Sequence, residues 1–147
     1  MKTPCENIIT DKLGVVCCYF NPCNYLSKYI NFISFYNTIS TNTNIELLVV
    51  ESYAPNAKYR INKICNPVIS IESSEVYWQK EQLLNIGIDE MYSRGYECIA
   101  ISDADVLFSN EDWVTNSINS IRKFKAVQLF ETCVKKLPNS KKRIVSK

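Results

Sequence analysis

Residues 13–20 have the sequence LGVVCCYF, and this nearly continuous apolar run decides the fold. Asn21 and Pro22 close it, a pair that ends strands and begins turns. A run this short that is apolar at consecutive positions is typical of a strand buried on both faces, as in a parallel sheet covered by helices. We therefore expect a central strand of an α/β domain at residues 13–20.

The segments that follow alternate between helical and strand patterns. Gly95 lies where a helix often ends in a left-handed residue, and Asn110 is placed to cap a further helix. Strands that alternate with helices predict parallel pairing, in a layered domain with helices on both faces of the sheet. Strands are predicted over 13–20, 45–52, part of 66–73, 97–102 and 126–130, and helices over 25–39, 75–94 and 111–123.

Length and charge indicate one domain with a short basic end. A chain of 147 residues has room for a single hydrophobic core, and its formal net charge is only +2. Much of the positive excess lies in the last residues, so we predict a domain over 1–131 and a flexible basic tail over 132–147 rather than a nucleic-acid surface. The longest apolar runs fall well short of the roughly 18 residues of a membrane span.

Cysteine and histidine usage limits the chemistry. The seven cysteines are an odd number and several lie in apolar runs, so we expect reduced thiols in a cytoplasmic or similarly reducing compartment. The chain has no histidine, which excludes Ser-His and Cys-His nucleophilic catalysis within it. Zinc is not expected, because a C-x-x-C pair is also missing from the sequence. Carboxylates, lysines, tyrosines or a metal bound through oxygen remain.

Two aspartates one residue apart, Asp103 and Asp105, follow the predicted strand 97–102. Ligands of open α/β sheets bind beyond the carboxyl ends of the strands, which is where this pair is expected to lie. Carboxylate oxygens suit Mg²⁺ or Mn²⁺, and such a cation would in turn hold a diphosphate. The residues alone leave this interpretation about even with a polar loop that binds no metal.

Two other interpretations of the aspartates are weaker. An EF-hand loop that starts at Asp103 needs an oxygen ligand and a glycine where the chain has Leu107 and Phe108, so calcium of that type is excluded. The loop is also similar to the nucleophile loop of haloacid-dehalogenase-like phosphatases. That family needs a later lysine and further acids on succeeding strands, and few residues follow Asp105, so the phosphatase is a distant alternative.

The stretch SSEVYWQKEQLLNIGIDEMYSRGYECIAISDADVLFSNEDW, with VVCCYFNPCNY before it and AVQLFE after it, resembles the nucleotide-sugar-binding half of GT-A glycosyltransferases. The matching motifs are Asn85-Ile86-Gly87 on a helix and Asp103-Ala104-Asp105 after a strand, and the likeness covers roughly residues 13–131. It implies a Rossmann-like GT-A domain that binds a UDP- or GDP-sugar through Mn²⁺ or Mg²⁺ and transfers the sugar to an unknown acceptor.

The resemblance also implies roles for individual residues. The base and ribose would lie near Tyr19, Phe20 and Asn21, and Glu51 would contact the base or the ribose. Lys80 would approach the diphosphate, and Asn85 belongs to the helix motif. Asp103 would approach the ribose or the metal, and Asp105 would ligate the metal. Gln82 stands where related sequences often have a basic residue, and the helical spacing of Trp78 favours a core position over a sugar platform.

The resemblance leaves the catalytic base unassigned. GT-A enzymes generally take the base, the acceptor contacts and often a metal-binding histidine from a second half, and this chain has only residues 131–147 after Phe130. We do not expect Glu131, the one acid in that segment, to act as the base. The sequence leaves three alternatives open: a donor-binding fragment of a transferase, a short protein whose partner chain supplies the acceptor half, or an inactive remnant or binding module.

Overall fold

A computed structural model describes residues 12–75, 77, 79–136 and 142–146 of the chain. The chain divides into two compact units after Ser109. The first unit contains β1 (Leu13–Phe20), α1 (Leu26–Ile39), β2 (Ile45–Tyr53), β3 (Val68–Glu72), α2 (Lys80–Ser93) and β4 (Ile99–Ile101). The second contains α3 (Trp113–Ile121), β5 (Thr132–Lys136) and β6 (Lys142–Ser146).

The first unit is built on a four-stranded sheet in the order β3-β2-β1-β4, and every neighbouring pair is parallel. Strand β1 pairs with β2 along its whole length, from Leu13 opposite Ile45 to Phe20 opposite Ser52. All eight residues of β1 are buried, as the apolar run predicts. The prediction of an α/β fold with a parallel sheet is confirmed.

Helices α1 and α2 cover opposite faces of this sheet. Alternate residues of a strand point to opposite faces. Val16 and Cys18 of β1 pack in one cluster with Leu83 and Met91 of α2. The neighbouring Tyr19 contacts Phe32 of α1 instead, with ring centroids 5.1 Å apart. Both faces of the central strands are therefore removed from water, which is why β1 and β2 are apolar at consecutive positions.

Helix α2 approaches the sheet closely at Gly87. A Cβ atom built on Gly87 would lie 2.4 Å from Cγ1 of Val16 and 3.1 Å from Cγ2 of Val50. Real Cβ atoms essentially never come so near another carbon, so only glycine fits while the helix keeps this position. The glycine of the Asn85-x-Gly87 motif thus has a packing role.

Helix α2 ends in a Schellman motif. Gly95 has φ +91°, and its N–H donates to the carbonyl of Tyr92 at 3.0 Å. The N–H of Tyr96 donates to the carbonyl of Met91 at 3.2 Å. Two carbonyls at the end of the helix are thereby satisfied. The left-handed residue predicted at Gly95 is confirmed.

Replacing Gly95 by alanine is expected to lower the free energy of unfolding by about 1 kcal/mol, because an L side chain is disfavoured at this φ. No atom within 4 Å would meet the added Cβ, so the cost is conformational. Urea unfolding followed by circular dichroism measures the loss. Gly95→Asn is the matched control, since asparagine tolerates the left-handed region better, and an equal loss in both variants would contradict this explanation.

Three boundaries differ from the sequence prediction. Helix α2 begins at Lys80 rather than near Glu75, and Oγ of Ser73 accepts the N–H of Glu75 at 3.1 Å in the segment before it. Residues 126–130, predicted as a strand, contain none, and the side chain of Gln128 donates to the carbonyl of Phe130. Residues 132–136 and 142–146, expected in a flexible tail, are the antiparallel strands β5 and β6.

The cysteines of the described residues are all free, and they are Cys17, Cys18, Cys23, Cys65, Cys98 and Cys133. Burial raises the pKa of Cys18 to about 11 and the pKa of Cys65 to about 12. Burial likewise raises the pKa of Cys17 well above its ordinary value. These three thiols stay protonated at neutral pH and contribute to the core as small apolar groups.

Within the described residues, no helix is long and apolar enough to cross a membrane.

Candidate functional site

The strand order places a crevice between β1 and β4. The chain runs from β1 outward to β2 and β3, and then returns to the other side of β1 to form β4. Ligands of open α/β sheets bind at the carboxyl ends of the strands where the order reverses in this way. An open cavity of about 280 Å³ lies there. Its lining consists of Cys18, Tyr19, Phe20, Lys28, Asn31, Lys80, Asp103, Ala104 and Asp105.

Both aspartates of the D-x-D motif line this cavity. The turn that carries them is fixed to the sheet, because the N–H of Ser102 donates to the carbonyl of Val16 at 3.0 Å. Oγ of Ser102 donates to the carbonyl of Asp103 at 3.1 Å. The carboxylates themselves are exposed, and 56% of the Asp103 side chain is accessible. A rigid backbone thus presents two solvated anionic groups at the strand ends.

Lys80 forms an ion pair with Asp103 across the cavity. Nζ of Lys80 donates to Oδ1 of Asp103, and about a third of the lysine side chain is accessible. The hydrogen bond to Asp103 raises the pKa of Lys80, so the ammonium form is favoured. Lys80 is the first residue of α2, and its carbonyl accepts a weak bond from Sγ of Cys18 at 3.7 Å. The amino end of α2 is thereby attached to the end of β1.

Helix α1 contributes two polar residues that the sequence analysis did not single out, Lys28 and Asn31. Nζ of Lys28 donates to the carbonyl of Phe20 at 2.8 Å, which holds its positive charge beside the end of β1. Their spacing of three places both residues on one helix face at the start of the helix that follows β1, but this pattern does not show that the face reaches the strand ends.

The end of β1 forms the apolar wall of the cavity. Tyr19 and Phe20 line it, and both are largely buried, at 5% and 7% exposure. Burial raises the pKa of the Tyr19 phenol, so the group stays neutral at physiological pH. Burial also raises the pKa of Cys18, so this thiol is neutral at physiological pH as well. The charged groups of the lining are therefore Lys28, Lys80 and the two aspartates.

Asn21, also predicted to contact the nucleotide, does not line the cavity. It is buried, and its side chain bonds within the loop that leads into α1. Nδ2 donates to the carbonyl of Tyr25 at 2.9 Å and to the hydroxyl of Tyr19 at 3.2 Å, while Oδ1 accepts the N–H of Tyr25 at 2.9 Å. Its observed contacts position the loop and orient the Tyr19 hydroxyl.

Glu51 is likewise outside the cavity lining, and it does not end the second strand, because β2 continues to Tyr53. Its side chain is 1% exposed, and Arg60, Ile61 and Ser70 all donate to its carboxylate. Burial lowers the pKa of Arg60, but the hydrogen bond and the charge of Glu51 outweigh that effect and raise it. The guanidinium also lies over the Tyr53 ring, 3.2 Å from its centroid. Glu51 thus anchors the loop between β2 and β3.

The helix motif is divided between two roles. Gly87 packs against the sheet, whereas Asn85 is exposed on α2 and does not line the cavity. The interpretation of Trp78 as a core residue falls outside the described residues. The structure therefore brings together Tyr19, Phe20, Lys80, Asp103 and Asp105 from the predicted set, and leaves Asn21, Glu51 and Asn85 outside the cavity.

The donor set fits a hard cation that is shared with a ligand, and not a protein cage. Across the described residues, no group of three or more histidine, cysteine, aspartate and glutamate side chains could hold a metal ion. Asp103 and Asp105 provide carboxylate oxygens, which suit Mg²⁺ and Mn²⁺. Mg²⁺ commonly takes one or two carboxylates and fills its other positions with water and substrate phosphates. Two exposed carboxylates beside an open cavity meet that requirement.

Comparisons of the chain with protein-family models, with curated proteins and with solved structures found no match.

Proposed function

We propose that this chain is a GT-A-like, Rossmann-like donor domain of a glycosyltransferase that binds a nucleoside-diphosphate sugar together with Mn²⁺ or Mg²⁺. The observation that carries the proposal is a cavity at the carboxyl ends of β1 and β4, where the strand order reverses. One cavity there combines an apolar wall, two ammonium groups and both aspartates. A nucleoside diphosphate combines an aromatic base with a charged diphosphate, so it matches such a lining in chemistry.

The parts of the ligand are assigned by charge and polarity. The base and ribose lie against Tyr19 and Phe20, which offer apolar surface at the end of β1. The diphosphate lies near Lys80 and Asp103, at the amino end of α2, where backbone dipoles favour negative charge. Asp103 and Asp105 are the residues that would hold a divalent cation, and such a cation would supply positive charge to offset the negative charge of the departing nucleoside diphosphate.

Calorimetric titration with UDP and with GDP, in the presence and absence of Mn²⁺, tests the proposal. We expect at least one of the two nucleotides to bind, and to bind more tightly with Mn²⁺. Asp105→Asn should weaken the metal-dependent binding by at least about tenfold, since even changes around a metal ligand cost about 10–100-fold in metal affinity. The asparagine side chain keeps the size of the aspartate while removing its charge.

Asp89→Asn is the matched control for this titration. Asp89 is an exposed residue of α2 that does not line the cavity, so the same chemical change should leave nucleotide binding unaltered. Equal affinity with and without Mn²⁺ in the unaltered protein would refute the proposal. An equal loss in both variants would show that the effect is one of overall charge and that the site lies elsewhere.

A donor-binding module without turnover is the second candidate. Both carboxylates in the lining of the described cavity are assigned to the cation, which leaves neither of them to activate an acceptor hydroxyl. A partner chain that supplies the acceptor site and the base would restore transfer. Release of nucleoside diphosphate from a bound UDP- or GDP-sugar distinguishes the two, since the module alone binds the donor without consuming it.

A further inference from the structure

The cavity is electrically balanced in the absence of any ligand. Lys28 and Lys80 contribute two positive charges, and Asp103 and Asp105 contribute two negative charges, so the formal sum is zero. A free divalent cation is therefore drawn to the cavity weakly. Its ligand Asp103 is already paired with the Lys80 ammonium, and that contact must open before the carboxylate oxygen is available.

A diphosphate changes this balance. Its negative charges attract both lysines and a divalent cation, and its oxygens accept hydrogen bonds from an ammonium group. Lys80 can then exchange one anionic partner for another, from the Asp103 carboxylate to the diphosphate, without being left unpaired. The released carboxylate is free to ligate the cation. A metal ion bound between the aspartates would in turn free Lys80 for the diphosphate.

We propose that Lys80 is an internal counter-ion that couples the metal to the nucleotide: it occupies Asp103 in the empty cavity and transfers to the diphosphate when both ligands bind. This inference rests on the proposed function, and it concerns the order and mutual dependence of binding at that site. Coupling of this kind is reciprocal, so Mn²⁺ should strengthen nucleotide binding by the same factor as the nucleotide strengthens Mn²⁺ binding. Lys80 is a positioning residue for the metal and a direct ligand of the phosphate.

Lys80→Gln separates the two roles, because it should strengthen the binding of Mn²⁺ alone and weaken the binding of the nucleotide. We expect Mn²⁺ alone to bind the variant about fivefold more tightly, the scale set by a partly exposed ion pair. Without metal, the nucleoside diphosphate should bind more weakly, because one of the two positive charges that attract it to the cavity is lost. The factor by which Mn²⁺ and nucleotide strengthen each other should fall. Mn²⁺ binding is measured by the electron paramagnetic resonance signal of the free ion, and nucleotide binding by calorimetry.

Two further variants make the result specific. Lys80→Arg keeps a cation that can pair with Asp103, so it should retain most of the coupling between Mn²⁺ and nucleotide. Lys63→Gln removes an exposed lysine that does not line the cavity, and it should alter neither affinity. A general effect of net charge would instead appear equally in Lys63→Gln and Lys80→Gln, and that outcome would overturn the inference.

The failure of this inference differs from the failure of the proposed function. If the unaltered protein binds nucleotide with Mn²⁺ but Lys80→Gln binds Mn²⁺ alone no more tightly, the site stands and the counter-ion role is refuted. If the unaltered protein shows no metal-dependent nucleotide binding, the proposed function and this inference both fail. Unchanged coupling in Lys80→Gln also overturns the inference, since the lysine would then not link the two ligands.

Discussion

Replacing Glu51 by alanine is expected to lower the free energy of unfolding by about 2–4 kcal/mol, because its buried carboxylate satisfies three donors, one of them a partly exposed guanidinium. The carboxylate accepts the N–H of Ile61 at 2.9 Å and forms an ion pair with Arg60, also at 2.9 Å. Without it, a buried backbone donor loses its acceptor and a guanidinium loses its counter-charge. Urea unfolding followed by circular dichroism measures the difference.

Glu72→Ala is the matched control for Glu51→Ala. Glu72 lies in a strand of the same sheet, but it is exposed, and its one described side-chain hydrogen bond is accepted from the hydroxyl of Tyr53 at 3.1 Å. Its removal should cost less than about 1 kcal/mol. If Glu51→Ala were as stable as Glu72→Ala and had lost nucleotide binding, Glu51 would act on the ligand as the sequence resemblance implied, and not on the loop.

The contrast between Glu51 and the aspartates shows which part of the site could be predicted from sequence. The position of Asp103 and Asp105 follows from the order of strands and helices, because the carboxyl ends of parallel strands meet at one edge. That order can be read from the local sequence, because strands and helices repeat their apolar residues at different periods. Two of the partners of Glu51, Arg60 and Ile61, come from the loop between β2 and β3, and no periodic pattern encodes the conformation of a loop.

Other differences have similar physical causes. Lys28 and Asn31 reach the cavity because of how α1 lies over the end of β1, a matter of side-chain packing that helical periodicity alone does not specify. The segment 126–130 is five residues long and is interrupted by the polar Gln128, and so short a pattern does not distinguish a strand from an irregular segment. Helix α2 begins at Lys80 rather than near Glu75, because an amphipathic pattern specifies the buried face of a helix more closely than its ends.

The Asn85-x-Gly87 motif shows that a sequence pattern can suggest a function although packing explains the presence of its glycine. The motif strengthened the sequence resemblance, yet its glycine is required by the approach of α2 to β1 and its asparagine is exposed on the helix. The closeness of that approach has a consequence for the site, since α2 carries Lys80 at its first residue. Displacing the helix from the sheet would move Lys80 away from Asp103.

Gly87→Ala is therefore expected to lower the free energy of unfolding by about 2–3 kcal/mol, as overpacking of a well-filled core does. The added Cβ would lie 2.4 Å from Cγ1 of Val16, which cannot be accommodated without moving the helix. On an exposed helix surface the same change would stabilise the protein by about 0.8–1.0 kcal/mol. A loss of stability in Gly87→Ala would therefore indicate the close contact between α2 and the sheet. Asn85→Ala, on the same helix, should change stability by no more than about 0.5 kcal/mol.

The double variant Val16→Ala, Gly87→Ala tests the cause of the effect. Truncating Val16 removes the methyl group that the new Cβ would strike, so the pair should be more stable than the sum of the two single losses predicts, by at least about 0.5 kcal/mol. Because α2 also positions Lys80, Gly87→Ala should weaken the coupling between Mn²⁺ and nucleotide, and the second substitution should restore part of it. Strictly additive losses would mean that contact with Val16 is not what makes alanine unfavourable at position 87.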